Sequence, residues 1–280
     1  MAKLAAAAQA DIGMKREANE DSVLAMVVER PEQASMGLFA VCDGMGGHLG
    51  GEFASFWAIE AIKSEFAEVL ALSDPRDTII LQEQDRQKAR AGILPDIVSD
   101  PGRYDPQELV MAAVQKANQV VYNYTVHKPE QAGNAGTTVS MAFVYDHKAI
   151  IANAGDSRTY LLRGGKLRQI SKDHSLVATL VDNGELLPEE VYTHPRRSVI
   201  FRYLGMKGKV QPDIFTEDLQ AGDRLLLCTD GLWEMVRSNV EIVRSLENSG
   251  PPEQACLSLI EAANLAGGED NIGVVVVQVS

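Results

Sequence analysis

The 280-residue chain lacks the features that mark membrane, disulfide-bonded and nucleic-acid-binding proteins. No stretch approaches the roughly 18–20 consecutive apolar residues of a membrane-spanning helix, which argues against an integral membrane protein. Of its three cysteines, none in CxxC spacing, Cys42 and Cys228 lie in apolar runs, so we expect buried reduced thiols. Basic residues form no run and the net charge is −13, so DNA or RNA binding has little electrostatic support.

The amino-terminal segment and the acidic charge set two further expectations. Residues 1–10 are rich in alanine and lack the Leu, Ile and Val density of a secretory signal, so we interpret them as an ordinary amino terminus of a cytoplasmic protein. An acidic protein repels phosphorylated ligands at long range. Phosphate chemistry here would therefore require local positive charge from metal ions or arginines.

Runs of apolar and β-branched residues joined by short turns predict antiparallel sheets. The predicted strands cover 22–28, 37–42, 137–145, 149–154, 159–163, 224–228 and 271–279. Helical periodicity predicts helices over 52–70, 106–124 and 252–265. The order of these elements favours one α+β domain over residues 1–280, with a polar excursion between the first two helices at about 73–105.

Three aspartates, Asp43, Asp230 and Asp270, stand beside glycine at the ends of apolar runs. A carboxylate buried there is costly unless it is paired or coordinates a cation. Asp43 is followed by five glycines within residues 44–51, more than a tight turn explains, which favours a metal or phosphate site. Oxygen ligands without histidine or cysteine suit Mg²⁺ or Mn²⁺, and two such ions can activate water and clamp a phosphoryl group.

Two other acidic segments are weaker signals by themselves. Glu20 and Asp21 directly precede a predicted strand, where a solvated turn is the simpler interpretation. Asp156 lies in a Gly-Asp-Ser-Arg segment that alone indicates a hairpin turn.

Taken in order, these segments resemble the metal-dependent protein phosphatase family, type 2C class, in its bacterial branch. The matching segments run across nearly the whole chain: Arg16 with Asn19-Glu20-Asp21, Asp43-Gly44-Met45-Gly46-Gly47-His48, Gly136-Thr137-Thr138, Gly155-Asp156-Ser157-Arg158, Thr229-Asp230-Gly231-Leu232 and Glu269-Asp270-Asn271. The resemblance implies a four-layer α-β-β-α sandwich, with two antiparallel sheets flanked by helix pairs. It also implies a monomer that uses two or three Mg²⁺ or Mn²⁺ ions. Its substrates would be phosphoserine and phosphothreonine placed on proteins by a serine/threonine kinase, hydrolysed by metal-activated water.

The resemblance further implies a role for each matching residue. Asp43 would bridge two metals, the Gly44 carbonyl would bind the second, and Asp230 and Asp270 would complete the first. Asp156 would join Asp230 at a weaker third metal. Glu20 would hold a metal-bound water, and Asp21 and Asn271 would support the ligands. Arg16 would clamp the substrate phosphate.

Two departures limit this transfer: the residue that follows Asp43-Gly44, and the excursion at about 73–105, which is longer than expected of a compact bacterial member. Met45 occupies the position where eukaryotic members have a proposed acid, which leaves metal-bound water or the nearby His48 as the proton source. The family flap, here about 172–205, carries a cluster of positive charge: Lys172, Arg196, Arg197 and Arg202. Two interpretations explain this cluster equally well. Arg196 and Arg197 would recognise substrate, or the segment would be a solvated loop whose charges are balanced by Glu185, Glu189 and Glu190.

Two rival functions remain at the level of sequence. A pseudophosphatase that acts as a regulatory binding module should have lost metal ligands, whereas every expected acidic ligand is present here. A phosphatase of small phosphoesters would differ only in its flap.

Overall fold

The computed structural model describes residues 3–29, 33–46, 49–71 and 105–280. The predicted excursion at 73–105 lies outside these residues except for Asp105. That residue caps the following helix, because its side chain accepts a hydrogen bond of 2.9 Å from the backbone N–H of Gln107.

The first sheet, sheet I, contains five antiparallel strands in the order β1-β11-β10-β7-β8. Their bounds are β1 Leu4–Asp11, β7 Arg158–Arg163, β8 Lys166–Gln169, β10 Arg224–Cys228 and β11 Ile272–Val279. The valine-rich β11 lies between β1 and β10 and is buried along almost its whole length. This explains why its apolar run shows no alternation with polar residues.

The second sheet, sheet II, has the order β2-β3-β5-β6-β9, with β4 paired to the end of β3. Its strands are β2 Asp21–Val28, β3 Met36–Met45, β4 Gly136–Thr137, β5 Val139–Tyr145, β6 Lys148–Ala154 and β9 Asp213–Asp218. The antiparallel register of β2 and β3 places Asp21 opposite Asp43. Two of the sequence-predicted carboxylates are therefore neighbours across one pair of strands.

Long helices cover the outer face of each sheet. Helices α1 (Leu49–Ala71) and α2 (Pro106–His127) form a core with sheet II, and α6 (Asn239–Asn248) and α7 (Pro252–Leu265) form a core with sheet I. A third core fills the space between the sheets. The shorter helices are α3 Pro129–Ala132, α4 Leu176–Asp182, a 3₁₀ helix at Pro188–Thr193 and α5 Asp230–Trp233. The predicted four-layer sandwich of two antiparallel sheets and helix pairs is confirmed.

The structure differs from the predicted elements at several places. Residues 4–11 form a sheet strand rather than a plain terminal segment, and the strand predicted over 137–145 is interrupted at Thr138. The strands β8 and β9 and the helices α4 and α6 were not predicted. All three cysteines are buried and free, as expected. None of the helices in the described ranges is long and apolar enough to cross a membrane.

Candidate metal centre

Four aspartates gather where strands of the two sheets end. Asp43 lies near the end of β3, Asp230 follows β10, Asp270 precedes β11 and Asp156 lies in the connection from β6 to β7. Burial raises the pKa of Asp43 well above its usual range, and the charges of Asp230, Asp21, Asp156 and Asp270 raise it further. The carboxylates are therefore close enough to repel one another.

The neighbouring carboxylates respond in the same way. Burial, followed by the charges of Asp156 and Asp270, raises the pKa of Asp230 well above its usual range. Burial is also the main cause that raises the pKa of Asp21 and of Asp156 to about 7. Such a group of half-buried and buried carboxylates is stable in its charged form only beside cations.

Thr138 holds the main chain of Asp43 in place. Its Oγ1 accepts a hydrogen bond of 2.9 Å from the Asp43 N–H, and its own N–H donates to the Asp43 carbonyl at 2.9 Å. Thr137 Oγ1 donates to the same carbonyl at 2.8 Å. The main chain of Asp43 is thus fixed while its carboxylate remains available.

Close backbone approach explains part of the glycine density after Asp43. A Cβ on Gly44 would lie 2.2 Å from the Gly51 carbonyl oxygen, and a Cβ on Gly51 would lie 2.6 Å from Glu20 Oε2. The Glu20 carbonyl accepts hydrogen bonds from the Gly44 N–H at 3.1 Å and from Ser55 Oγ at 2.6 Å. The start of α1 therefore packs directly against Glu20, and a side chain at position 51 would displace the Glu20 carboxylate.

Asp21 and Asn271 connect sheet I to sheet II behind the acidic residues. Thr229 Oγ1 donates to Asp21 Oδ2 at 2.8 Å and accepts from the Gly273 N–H at 2.8 Å. Asn271 Oδ1 accepts from the Glu20 N–H at 2.8 Å, and its Nδ2 donates to the carbonyls of Ile12 and Ala18 at 2.9 Å. Both side chains therefore bond segments that carry the acidic residues.

Arg16 lies at the edge of this group. Its Nη2 bonds Asp270 Oδ2 at 2.5 Å, and its side chain is 52% exposed. Within the described ranges, no three His, Cys, Asp or Glu side chains are close enough to one another to enclose an ion by themselves. The gathered aspartate carboxylates nevertheless suit hard divalent cations, because such ions prefer oxygen donors.

Asp156 is held by its main chain in the tight β6–β7 connection. Gly155 has a φ of +116°, and a Cβ there would lie 2.6 Å from the Thr138 side chain. Trp233 Nε1 donates to the Asp156 carbonyl at 3.0 Å, and the Trp233 ring lies 3.6 Å below the Arg158 guanidinium. Arg158 in turn forms a buried ion pair with Asp173 at 2.7 Å. The connection that the sequence indicated as a simple turn is therefore a rigid, buried corner.

His174 links this corner to the flap. Its N–H donates to the Gly155 carbonyl at 2.9 Å, and its Nδ1 accepts from the Gly155 N–H at 3.2 Å. Its carbonyl accepts from the Phe201 N–H at 2.9 Å, and its Nε2 lies 3.2 Å from Asp213 Oδ2. Because Nδ1 accepts from a backbone N–H, the ring is neutral in this arrangement, and its Nε2 also lies 3.0 Å from Arg202 Nη1.

This bonding predicts a pH effect on stability. Burial lowers the pKa of His174, so the unfolded chain takes up the proton first, and the stabilisation by the neutral ring is lost as pH falls below about 6.5. We expect wild type to be more stable than His174→Asn at pH 8 and this advantage to shrink towards pH 5. Melting temperatures of both proteins at fixed Mn²⁺ would check it, and a constant difference across that range would contradict it.

Three of the four basic side chains in the flap form ion pairs with acidic side chains. Lys172 pairs with Asp182 at 2.6 Å, and Arg202 pairs with Asp213 at 2.7 Å. Arg197 Nε donates to Glu234 Oε2 at 3.1 Å, and its Nη2 lies 3.9 Å from Glu269 Oε2. Arg196 is exposed, and no carboxylate in the described part of the chain is paired with it. The glutamates that the sequence offered as balancing charges, Glu185, Glu189 and Glu190, are not these partners.

Sequence reasoning assigned no role to Ser55, Thr229 or His174. Each is a buried polar residue whose side chain bonds the backbone of a neighbouring site segment. The available signal was weak, because a single Ser, Thr or His among apolar residues also occurs in ordinary cores. His48, the candidate acid, lies outside the described residues.

Comparison with known proteins gives family matches across most of the chain. The family model of protein phosphatase 2C matches residues 13–179, and that of stage II sporulation protein E matches residues 180–280. The chain is 32% identical over 268 residues to the serine/threonine phosphatase stp of Listeria monocytogenes, covering 96% of this chain and 93% of that protein.

Solved structures give the same result for the fold. The crystal structure of the Mycobacterium tuberculosis serine/threonine phosphatase PstP/Ppp superposes with a TM-score of 0.76 at 34% identity, covering 98% of each chain. The catalytic domain of PstP in complex with two manganese ions superposes with a TM-score of 0.77 at 33% identity, covering 100% of this chain and 99% of that one. Fold, acidic centre and relatives agree, and the chain belongs to the protein phosphatase 2C family as a metal-dependent protein serine/threonine phosphatase.

Proposed function

We propose that Asp43, the Gly44 carbonyl, Asp230 and Asp270 hold two Mg²⁺ or Mn²⁺ ions, and that Asp156 joins Asp230 at a third. The observation that carries this proposal is the placement of four aspartates at the ends of strands from both sheets, where their charges raise the pKa of Asp43 and Asp230 through mutual repulsion. Divalent cations would neutralise that repulsion. When bound, they supply Lewis-acid stabilisation of the phosphoryl group and a water of lowered pKa.

The protein's own residues would position the substrate around these ions. We assign phosphate binding to Arg16, because its exposed guanidinium, which bonds Asp270 through one nitrogen, could instead bind a phosphate through two. Glu20 would hold a water, and Glu20 is itself held in place by Ser55 and by the start of α1. Asp21 and Asn271 would keep the ligand-bearing segments in register.

The metal requirement and the substrate class are tested by one assay with several substrates. Purified protein is incubated with phosphoserine, phosphothreonine and phosphotyrosine peptides, with Mn²⁺ or with excess EDTA. We expect turnover of the first two peptides only with the metal. Turnover in EDTA would contradict the metal centre, and absence of turnover with Mn²⁺ would favour the pseudophosphatase.

The flap arginines allow a sharper prediction about substrate binding. Since Arg196 is exposed and Arg197 is held by Glu234, we expect Arg196→Ala to raise KM for phosphopeptides several-fold with little change in kcat. Arg197→Ala should instead lower kcat, because it releases the flap from the elements that carry Asp230 and Asp270.

Kinetics of both variants on a phosphopeptide and on p-nitrophenyl phosphate would separate these roles. Lys166→Ala, on the distant strand β8, is a matched control for the loss of one positive charge. Equal effects of Arg196→Ala and Arg197→Ala on KM and kcat would show that the ion pair with Glu234 has no functional meaning.

We further propose that residues 1–280 act as one catalytic unit with a flap at about 172–205. The unit would be a cytoplasmic monomer whose substrates are products of a serine/threonine kinase. Its net charge of −13 disfavours nucleic acids and acidic membranes as partners.

A further inference from the structure

A mostly apolar groove of about 440 Å³ lies beside the acidic centre, between α7 and the loop after β1. It is lined by Met14, Leu257, Ile260, Glu261, Asn264 and Leu265. Three of these apolar side chains are unusually exposed: Met14 at 66%, Leu257 at 49% and Leu265 at 82%. Exposed apolar residues that surround one groove point to a binding surface more strongly than the same residues scattered singly.

The groove borders the loop that carries Arg16, since Met14 lines it. The Met14 N–H donates to the Gly268 carbonyl at 2.8 Å, and Arg16, two residues later, bonds Asp270. A Cβ on Gly13 would lie 2.2 Å from the Asp270 carbonyl, so the loop and the Asp270 segment are in tight contact. Since two residues span at most about 7 Å, a chain whose phosphate reaches Arg16 has the groove within a few residues of its phosphosite.

The size and charge of the groove define what it can bind. Leu257, Glu261 and Leu265 follow one another at four-residue spacing on α7, a length of about 12 Å along the helix axis. An extended peptide covers that distance with about four residues. Glu261 is exposed and is the charged member of the lining, which favours a positively charged partner.

We propose that this groove binds the substrate polypeptide a few residues from the phosphorylated serine or threonine, taking one apolar side chain and placing a lysine or arginine beside Glu261. The proposal rests on the proposed role of Arg16 in binding phosphate. It assigns the groove to sequence selection and leaves the chemical step to the metal centre. The preferred substrates are phosphoproteins with an apolar and a basic residue near the phosphosite.

Two groove variants and two substrates test the proposal. Leu257→Ala combined with Leu265→Ala should lower kcat/KM about tenfold for a phosphopeptide that carries a leucine and an arginine near the phosphoserine. Activity on p-nitrophenyl phosphate should remain unchanged, because that ester cannot reach the groove. Glu261→Lys should reduce the ratio of kcat/KM for the arginine peptide to kcat/KM for a peptide with glutamate in place of that arginine.

Val240→Ala is the matched control, since Val240 is 72% exposed on α6 and lies outside the groove lining. Unchanged peptide kinetics in the double variant, with full wild-type activity, would overturn the groove proposal alone. Absence of wild-type activity on every ester would instead overturn the proposed function. If light scattering shows a wild-type dimer that the double variant abolishes while peptide kinetics stay unchanged, the groove binds a second copy and the substrate proposal is wrong.

Discussion

Asp43→Asn should lower kcat by more than about a hundredfold on phosphopeptides at saturating Mn²⁺. Loss of residues that merely support metal ligands costs about 10–100-fold, and loss of a bridging carboxylate should exceed that range. The variant should still fold, because the hydrogen bonds at Asp43 described above, from Thr137 and Thr138, involve its main chain, which asparagine preserves. Its neutral amide also removes one of the repelling charges.

The measurement combines steady-state kinetics with thermal unfolding in EDTA. We expect the melting temperature of the metal-free variant to equal or exceed that of metal-free wild type. Asp218→Asn provides a control, since the Asp218 side chain is 85% exposed at the end of β9. Wild-type turnover by Asp43→Asn would show that Asp43 does not bridge the ions.

The strands with strong apolar runs were predictable from the sequence. Five of the predicted strands, and the helix over 252–265, agree with the structure to within about two residues at each end, because long runs of valine or leucine and helical periodicity are local signals. By contrast, β1 has the sequence LAAAAQAD, and alanine has low strand propensity. It forms a strand because its backbone pairs with β11 from Leu4 to Asp11, a long-range partner that no local pattern reveals.

The candidate site shows the same division between local and long-range signals. Asp43, Asp230 and Asp270 could be singled out because an acidic residue beside a buried strand has a clear energetic cost. Asp156 could not be distinguished from a turn residue without the resemblance. Its environment depends on Trp233 and Thr138, which are distant in sequence.

The flap charges were predictable in kind but not in partner. The sequence left substrate recognition and a solvated loop equally open for Arg196 and Arg197. The structure distinguishes the two arginines, because Arg197 pairs with Glu234 beside α5 whereas Arg196 is exposed. Which side chain of an adjacent pair faces the protein depends on loop geometry, and neighbouring residue types do not determine it.

Asp156→Ala should reduce turnover strongly, by at least about tenfold, while two tighter Mn²⁺ sites persist. The proposed ligands of those two sites, Asp43, Gly44, Asp230 and Asp270, lie on other segments. The corner itself should survive, since Trp233 Nε1 bonds the Asp156 carbonyl and Gly155 provides the positive φ, both of which alanine at 156 leaves intact.

Calorimetric titration with Mn²⁺ and kinetics on a phosphopeptide would test this expectation together. Asp156→Asn keeps the shape of the side chain and removes its charge, so it separates ligand loss from a packing defect in the corner. Both variants should titrate with two tighter sites and lose turnover to a similar extent. Loss of all Mn²⁺ binding in Asp156→Asn would place Asp156 in the main pair of sites, because the isosteric change leaves the corner packed and removes only the carboxylate.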